Sequence, residues 1–229
     1  MACFMGIKAS LLLLNWKRAA NLTRIIAQET AYQRVQEILV FNNNASEPFH
    51  YQHPKVKVLN ASTDFGLRVR WVLATLAKAE CLVFQDDDIL LPESTIKAFV
   101  DELGRDRHRI YSLHGRNPGP DGRYNPNPAD GEVEIALTRA AAIHRALLPL
   151  IFQSEQAFWD AGFTLPVNNG EDIFLSCCVS AHFGKKHKVL RAPFVDLPSP
   201  HALSSRPEHI KERTQLLRQC KEFFSPKAS

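Results

Sequence analysis

The sequence predicts an α/β protein with a mostly parallel sheet covered by helices on both sides. Short apolar runs alternate with stretches of helical periodicity along most of the chain, the order that builds such a sheet. Apolar residues make up 45% and charged residues 23% of 229 residues, an ordinary globular composition with enough apolar material for a real core. No internal repeat or low-complexity block interrupts the chain, so one compact domain over residues 1–229 is expected.

The elements follow in order. Residues 10–15 lie in an apolar run flanked by Lys8, Lys17 and Arg18. The run is far shorter than the roughly 18 residues that cross a bilayer, so it reads as a buried strand and no transmembrane segment is expected. Residues 21–36 place Leu22, Ile25, Ile26 and Val35 near helical spacing. Residues 37–41 and 55–59 are compact strand candidates. A helix over 67–78 is expected to bury Val69, Val72, Leu73 and Leu76 on one face. Strands at 81–85 and 109–113 flank a helix that starts near Pro92. Prolines, glycines and asparagines crowd residues 115–131, which predicts a long irregular loop, mobile enough to serve as a lid. A strand-like stretch at 133–137 precedes helices at 140–148 and 170–182. The last helix, 205–223, opens with Ser205, Pro207 and Glu208, the pattern of a capping box.

Twenty-eight Lys and Arg against 24 Asp and Glu leave a net charge of +4, and without a basic stripe this excludes nucleic acid as the main partner. Peripheral contact with a membrane surface or an anionic polysaccharide remains compatible with it. Five cysteines without a CxxC pair argue against a disulfide framework and a zinc knuckle. With no small-residue cleavage site after a charged start, the cytoplasm is the expected compartment.

Three clusters could carry chemistry. The strand ending at Gln85 runs into Asp86, Asp87 and Asp88, at the edge where parallel sheets collect ligands. Adjacent like charges call for a cation, and Mg²⁺ or Mn²⁺ suits them by taking one or two carboxylates and filling its shell with phosphate oxygens and water. The competing reading is a solvated acidic loop. In the second cluster, Asn168, Asn169 and Gly170 lead into Glu171 and Asp172, where acids also stabilise a helix N-terminus through its dipole. The third is Arg206, His209 and Arg213, spaced to project from one side of the last helix, beside a stripe of Ile210, Thr214 and Leu217. Arginines there can hold diphosphate oxygens in pairs, or the face is solvated with Glu208 and Glu212 pairing locally. Arg18 and Asn42–Asn44 follow the first two strands, Arg68 and Arg70 open a helix, and His201 is a loop histidine of weaker claim. Dinucleotide, phosphate-loop and GxSxG nucleophile motifs are absent from the sequence.

In order, the segments LLLLNWKRAANL, EILVFNNN, the Asp triplet, GEDI and SSRPEHIKERTQLL resemble the glycosyltransferase domain of the exostosin family, from about residue 10 to about residue 220. The resemblance implies a GT-A fold, a Rossmann-like mostly parallel sheet with a small additional β region. It implies transfer of N-acetylhexosamine or a related sugar from a UDP-sugar donor to a glycan or other hydroxyl acceptor with Mn²⁺ (or Mg²⁺). Carried over residue by residue, Asp88, with Asp86, would bind the metal, and Asp86 and Asp87 would contact the donor's ribose and sugar. Arg18, Asn43 and Arg70 would hold uridine and diphosphate, Arg206, His209 and Arg213 would grip the diphosphate, and Asp172 beside Glu171 would face the reacting carbon. Glu171 stands where the family pattern favours Asp, and Gly170 and Leu216 stand where secreted members carry cysteines.

Breaking a sugar–diphosphate bond builds negative charge on the leaving nucleotide, so a metal and cations placed there lower the barrier. Asp88 and Arg213 are expected to be the two ends of that clamp, which requires them to share one cleft. Retention is expected by analogy with the exostosins; an inverting enzyme would use Asp172 as base. A nucleotide- or carbohydrate-binding module without turnover is the alternative from another class. A metal-dependent nuclease or nucleotidyltransferase would need a second carboxylate cluster or a basic groove.

Overall fold

The computed structural model describes residues 7–199 and 206–225. The first half is a run of β1 (Ala9–Asn15), α1 (Ala19–Glu29), β2 (Val35–Asn42), β3 (Val56–Asn60), α2 (Val69–Thr75) and β4 (Cys81–Asp86). Strand β1 lies between β2 and β4, and β2 pairs with β3, all in parallel. All seven residues of β1 are buried because helices cover both faces. Leu11 and Leu13 pack with Ile25, Ile26 and Phe99 on one side, while Leu12 packs with Trp71, Phe84 and Ile151 on the other, the two-residue alternation of a pleated strand.

The second half comprises β5 (Ile89–Leu90), α3 (Glu93–Arg105), β6 (Tyr111–Ser112), β7 (Gly115–Arg116), β8 (Glu132–Val133), β9 (Ile135–Ala136), β10 (Ala140–His144), α4 (Leu148–Asp160), α5 (Glu171–Phe183), β11 (His187–Val189), β12 (Val195–Asp196) and α6 (His209–Phe224). The sheet runs β3-β2-β1-β4-β10-β6-β11-β8. Strand β10 is antiparallel to both β4 and β6, and β11 is parallel to β6. Pairs β5/β12 and β7/β9 form two small extra sheets. The expected α/β class with a mostly parallel sheet and a small additional β region is what the structure shows. Helix α6 packs on α5 through Leu216, Leu217 and Cys220 against Ile173 and Phe174, which brings the end of the chain back to the start of α5.

Several elements differ from expectation. The helix over 21–36 stops at Glu29, and Val35 instead opens β2 opposite Ala9. Helix α2 leaves Val72 57% exposed, and Leu76 just past its end 49%, because its buried side is set by Trp71, edge-on against Phe84 at 5.2 Å, and by the buried Arg70. Residues 140–144 are a strand, not a helix; the small alanines sit bonded between β4 and β6, fully buried, and tertiary pairing overrides their helix propensity. A short 3-10 turn, Arg145–Leu147, then leads into α4, with Pro149 in its first turn. The strand expected at 109–113 shrinks to Tyr111–Ser112, and that at 133–137 divides between β8 and β9. Ser205 lies outside the described residues; α6 starts at His209, with Glu208 at its N-cap and no side-chain cap bond. Its buried stripe is Arg213, Leu216, Leu217 and Cys220, while Ile210 is exposed. Among the described residues no helix is long and apolar enough to cross a membrane, and Cys81, Cys177, Cys178 and Cys220 are free thiols.

Candidate active site

At the carboxyl ends of β1, β2 and β3 the edge of the sheet is set by a row of asparagines. Asn15 donates to Asn42 at 2.7 Å and Asn42 to Asn60 at 2.8 Å, as the strand register that aligns the three requires. A cleft of about 570 Å³ opens beyond this edge, lined by Arg18, Asn43, Arg70, Asp86, Asp87, Asp88, Glu171, Asp172, His209 and Arg213. The Asp triplet and the last helix therefore face one cavity. Arg206 is not among its lining residues; it reaches Glu212 at 3.2 Å and the Asn168 carbonyl at 3.4 Å.

Each aspartate of the triplet has its own arginine. Asp86 lies 2.5 Å from Arg70, whose guanidinium also donates to the Thr138 carbonyl at 3.3 Å and sits 3.6 Å from Glu171. Burial raises the Asp86 carboxyl against the opposing pull of Arg70. Asp87 accepts from Arg18 at 2.5 Å and from the Trp16 N–H at 2.9 Å, yet burial lifts it to about 6. Asp88 accepts from Arg139 at 2.9 Å and from Ser199 at 2.7 Å, with Arg18 at 3.7 Å. Burial pushes this carboxyl up, but Ser199, Arg139 and Arg18 outweigh it and hold it below the usual range.

Across the cleft, Gly170 at φ +82° turns the chain into α5. A Cβ there would come 2.3 Å from Leu216 Cδ2, so the two positions that the family resemblance singles out touch. Asp172 Oδ2 accepts from Arg213 Nη2 at 2.7 Å and its Oδ1 from the Ile173 N–H at 2.9 Å. Asn169 holds the same guanidinium at 3.3 Å and donates to Glu212 at 2.7 Å. Arg213 lies 4.3 Å from the centroid of the Tyr124 ring, a cation–π contact. Burial works to lower its guanidinium, and Asp172 more than offsets this and raises it. Glu171 accepts from Thr138 at 2.7 Å, and burial together with the Asp172 charge raises its carboxyl. Burial and then Arg213 lower His209, whose Nδ1 is buried without a hydrogen-bond partner.

Two candidates have other duties. The Asn43 amide is used on both sides, donating to Gly66 at 3.0 Å and accepting from Phe65 at 2.9 Å, so it ties down the approach to α2 while its side chain borders the cleft. Arg68 turns away to Glu155 at 2.6 Å. His201 lies outside the described residues. Sequence reasoning missed Arg139, Thr138, Tyr124, Arg116 and Ser199, all of which line the cleft. Arg139 and Thr138 were hidden by the misassigned helix at 140–148; their one signal was a polar break between two apolar runs.

Among the described residues no three His, Cys, Asp or Glu side chains converge as a closed cage. Asp86 and Asp88 present carboxylate oxygens at the cleft, which fits a hard divalent ion that takes one or two carboxylates and completes its shell with phosphate and water.

The architecture is shared with solved structures. That of S. aureus TarS 1-349 in complex with UDP-GlcNAc superposes with a TM-score of 0.66 at 13% identity, covering 97% of this chain and 68% of TarS. That of GalNAc-T7 with UDP, GalNAc and Mn²⁺ gives 0.60 at 12% identity over 94% of this chain and 48% of that one. These likenesses establish the GT-A fold. A sequence comparison with curated proteins finds no match. Residues 9–228 match the model of the glycosyl transferase family 64 domain, and with nearly the whole chain inside that match, this protein belongs to that family of glycosyltransferases.

Proposed function

We propose that this exostosin-like chain transfers a sugar, of the N-acetylhexosamine class, from a UDP-sugar to a hydroxyl of a glycan acceptor, with Mn²⁺ or Mg²⁺ and with retention of configuration. The observation that carries this reading is the meeting of the Asp triplet and Arg213 in one cleft. The UDP-GlcNAc bound to TarS and the UDP, GalNAc and Mn²⁺ bound to GalNAc-T7 support the donor class and the metal. Asp88, with Asp86, would hold the metal, which supplies positive charge to the departing diphosphate.

The chain's own residues do the rest. Arg213 and His209 neutralise the charge that grows on the leaving group, with Arg18 and Arg70 fixing uridine and diphosphate beside Asp87 and Asn43. Arg206 supports them through Glu212 and Asn169. Both oxygens of Asp172 carry donors, so it serves as a fixed negative charge toward the sugar carbon, in keeping with retention. Glu171 holds Thr138 and borders Arg70, which couples this carboxyl pair to the triplet. Residues 9–228 act as one catalytic domain, and the loop over 115–131, which lends Arg116 and Tyr124 to the cleft, moves as the acceptor enters.

The test is release of UDP from a panel of UDP-sugars offered with glycan acceptors, with Mn²⁺ or with excess EDTA. Acceptor-dependent release that EDTA abolishes supports the reading; turnover unchanged in EDTA, or none with any donor, overturns it. Proton NMR of fresh product reads the anomer.

A further inference from the structure

The acidic turn is anchored from behind by a carboxyl that the proposed chemistry does not use. Glu29, the last residue of α1, is 0% exposed. Its Oε1 accepts from Gln85 Nε2 at 2.8 Å and from the Leu91 N–H at 3.2 Å, and Gln85 Nε2 also donates to the Ile89 carbonyl at 2.9 Å. Gln85 and Leu91 stand just before and shortly after Asp86, Asp87 and Asp88. Two buried oxygens of this group have no partner, Glu29 Oε2 and Gln85 Oε1. Both are acceptors as long as the carboxyl is ionised. A protonated carboxyl is the complement of a primary amide, since its C=O accepts an amide N–H while its O–H donates to the amide C=O. The Oε1–Nε2 bond is one half of that ring, and the two orphaned oxygens are the atoms its other half would join.

Among the described residues, no cation pairs with Glu29 to keep it ionised. Tyr32, three residues on, pairs with Gln28; Glu93 of α3 accepts from the Gln33 and Arg34 N–H groups; and Lys55 is held by the Thr30 and Tyr32 carbonyls. The facing residues of β1 and α3, such as Leu11, Leu13 and Phe99, are apolar. We propose that Glu29 is a positioning residue that, as the neutral acid, closes a two-bond ring with Gln85 and so pins both ends of the turn carrying the Asp triplet. Its bearing on donor binding rests on the function proposed above.

Burial raises Glu29 from 4.5 to about 8 against the pull of its bonds to Gln85 and Leu91. A carboxyl raised on folding takes up a proton, so this group favours the fold least where the unfolded chain would be ionised. Its contribution therefore weakens as pH rises from 4.5 toward about 8 and is level above that. Glu29→Gln keeps the ring as an amide–amide pair and cannot titrate. The variant should gain thermal stability over wild type progressively across that window, with no further gain above it.

Three readings on this chain decide the matter. Infrared spectroscopy at neutral pH should show a buried carboxylic-acid C=O band in wild type that Glu29→Gln removes; no such band overturns the ring. A stability difference between the two proteins that stays flat from 4.5 to 8 overturns it as well. For positioning, UDP affinity in Mg²⁺ should match between wild type and Glu29→Gln two units below the Glu29 value, and wild type should weaken by about threefold or more relative to the variant one unit above it. Equal affinities at both pH values overturn the positioning role. If UDP binds at neither, the donor role falls with the proposed function, while the ring stands or falls on the infrared band.

Discussion

Arg213 Nη2 lies 2.7 Å from Asp172 Oδ2, and the two side chains are only 7% and 6% exposed. Such a pair is a poor device for stability, because desolvating both charges offsets most of their attraction. It makes sense as a preorganised cation at the wall of a cleft, fixed between Asp172, Asn169 and Tyr124 before any substrate arrives.

Removing one partner strands the other. Arg213→Ala should lose about 3–5 kcal/mol of stability by leaving Asp172 buried and unpaired, as urea unfolding would measure. Arg213→Lys should fold, because it keeps a charge near Asp172. Lacking the forked contact, it should lower sugar transfer on the order of 10²-fold. A lysine variant with wild-type turnover would refute the assigned role.

Gly170 should tolerate no side chain. Its φ of +82° costs an alanine about 1–2 kcal/mol, and the Cβ would strike Leu216 at 2.3 Å. Gly170→Ala is expected to lower the melting temperature. Leu216→Ala, combined with it, should relieve the clash but not the backbone strain, giving a favourable coupling in a double-mutant cycle. Strict additivity would show that the two positions do not touch.

Acid should weaken the fold through His187. Burial holds this histidine down from 6.5 to about 4, and its Nε2 donates to the Ser176 carbonyl at 2.9 Å. The folded value lies below the unfolded one, so its contribution is complete above 6.5 and is lost as pH falls toward 4, at about 1.4 kcal/mol per pH unit. His187→Gln should flatten the stability profile in that window, as unfolding curves at successive pH values would reveal. An unchanged slope would mean that another group titrates there.

Much of this was legible in the chain itself. Runs such as those ending at Asn15 and Asp86 are apolar enough to name buried strands, and a parallel sheet sends their ends to one edge. Asp88 could be singled out because three acids follow an apolar run, Asp172 because an Asn-Asn-Gly turn sets two acids at the start of an apolar helix, and Arg213 because it recurs with Arg206 and His209 at helical spacing. The alanines at 140–142 could not be placed, since their helix propensity is overruled by β4 and β6 on either side. With them went Arg139, the partner of Asp88. Val72 and Leu76 fit an apolar face, but Trp71 and Arg70 decide how α2 turns. The burial of Glu29 left no trace in local pattern, because only the folding of α1 against β4 encloses it.

The central claim is that one cleft holds a nucleotide diphosphate between a metal at Asp88 and the guanidinium of Arg213. Isothermal titration of UDP into wild type and Asp88→Asn, each with and without Mn²⁺, tests it most directly. The account predicts that UDP binds wild type only when Mn²⁺ is present and that Asp88→Asn weakens this binding by about tenfold or more. UDP affinity indifferent to Mn²⁺ and to Asp88→Asn would contradict it.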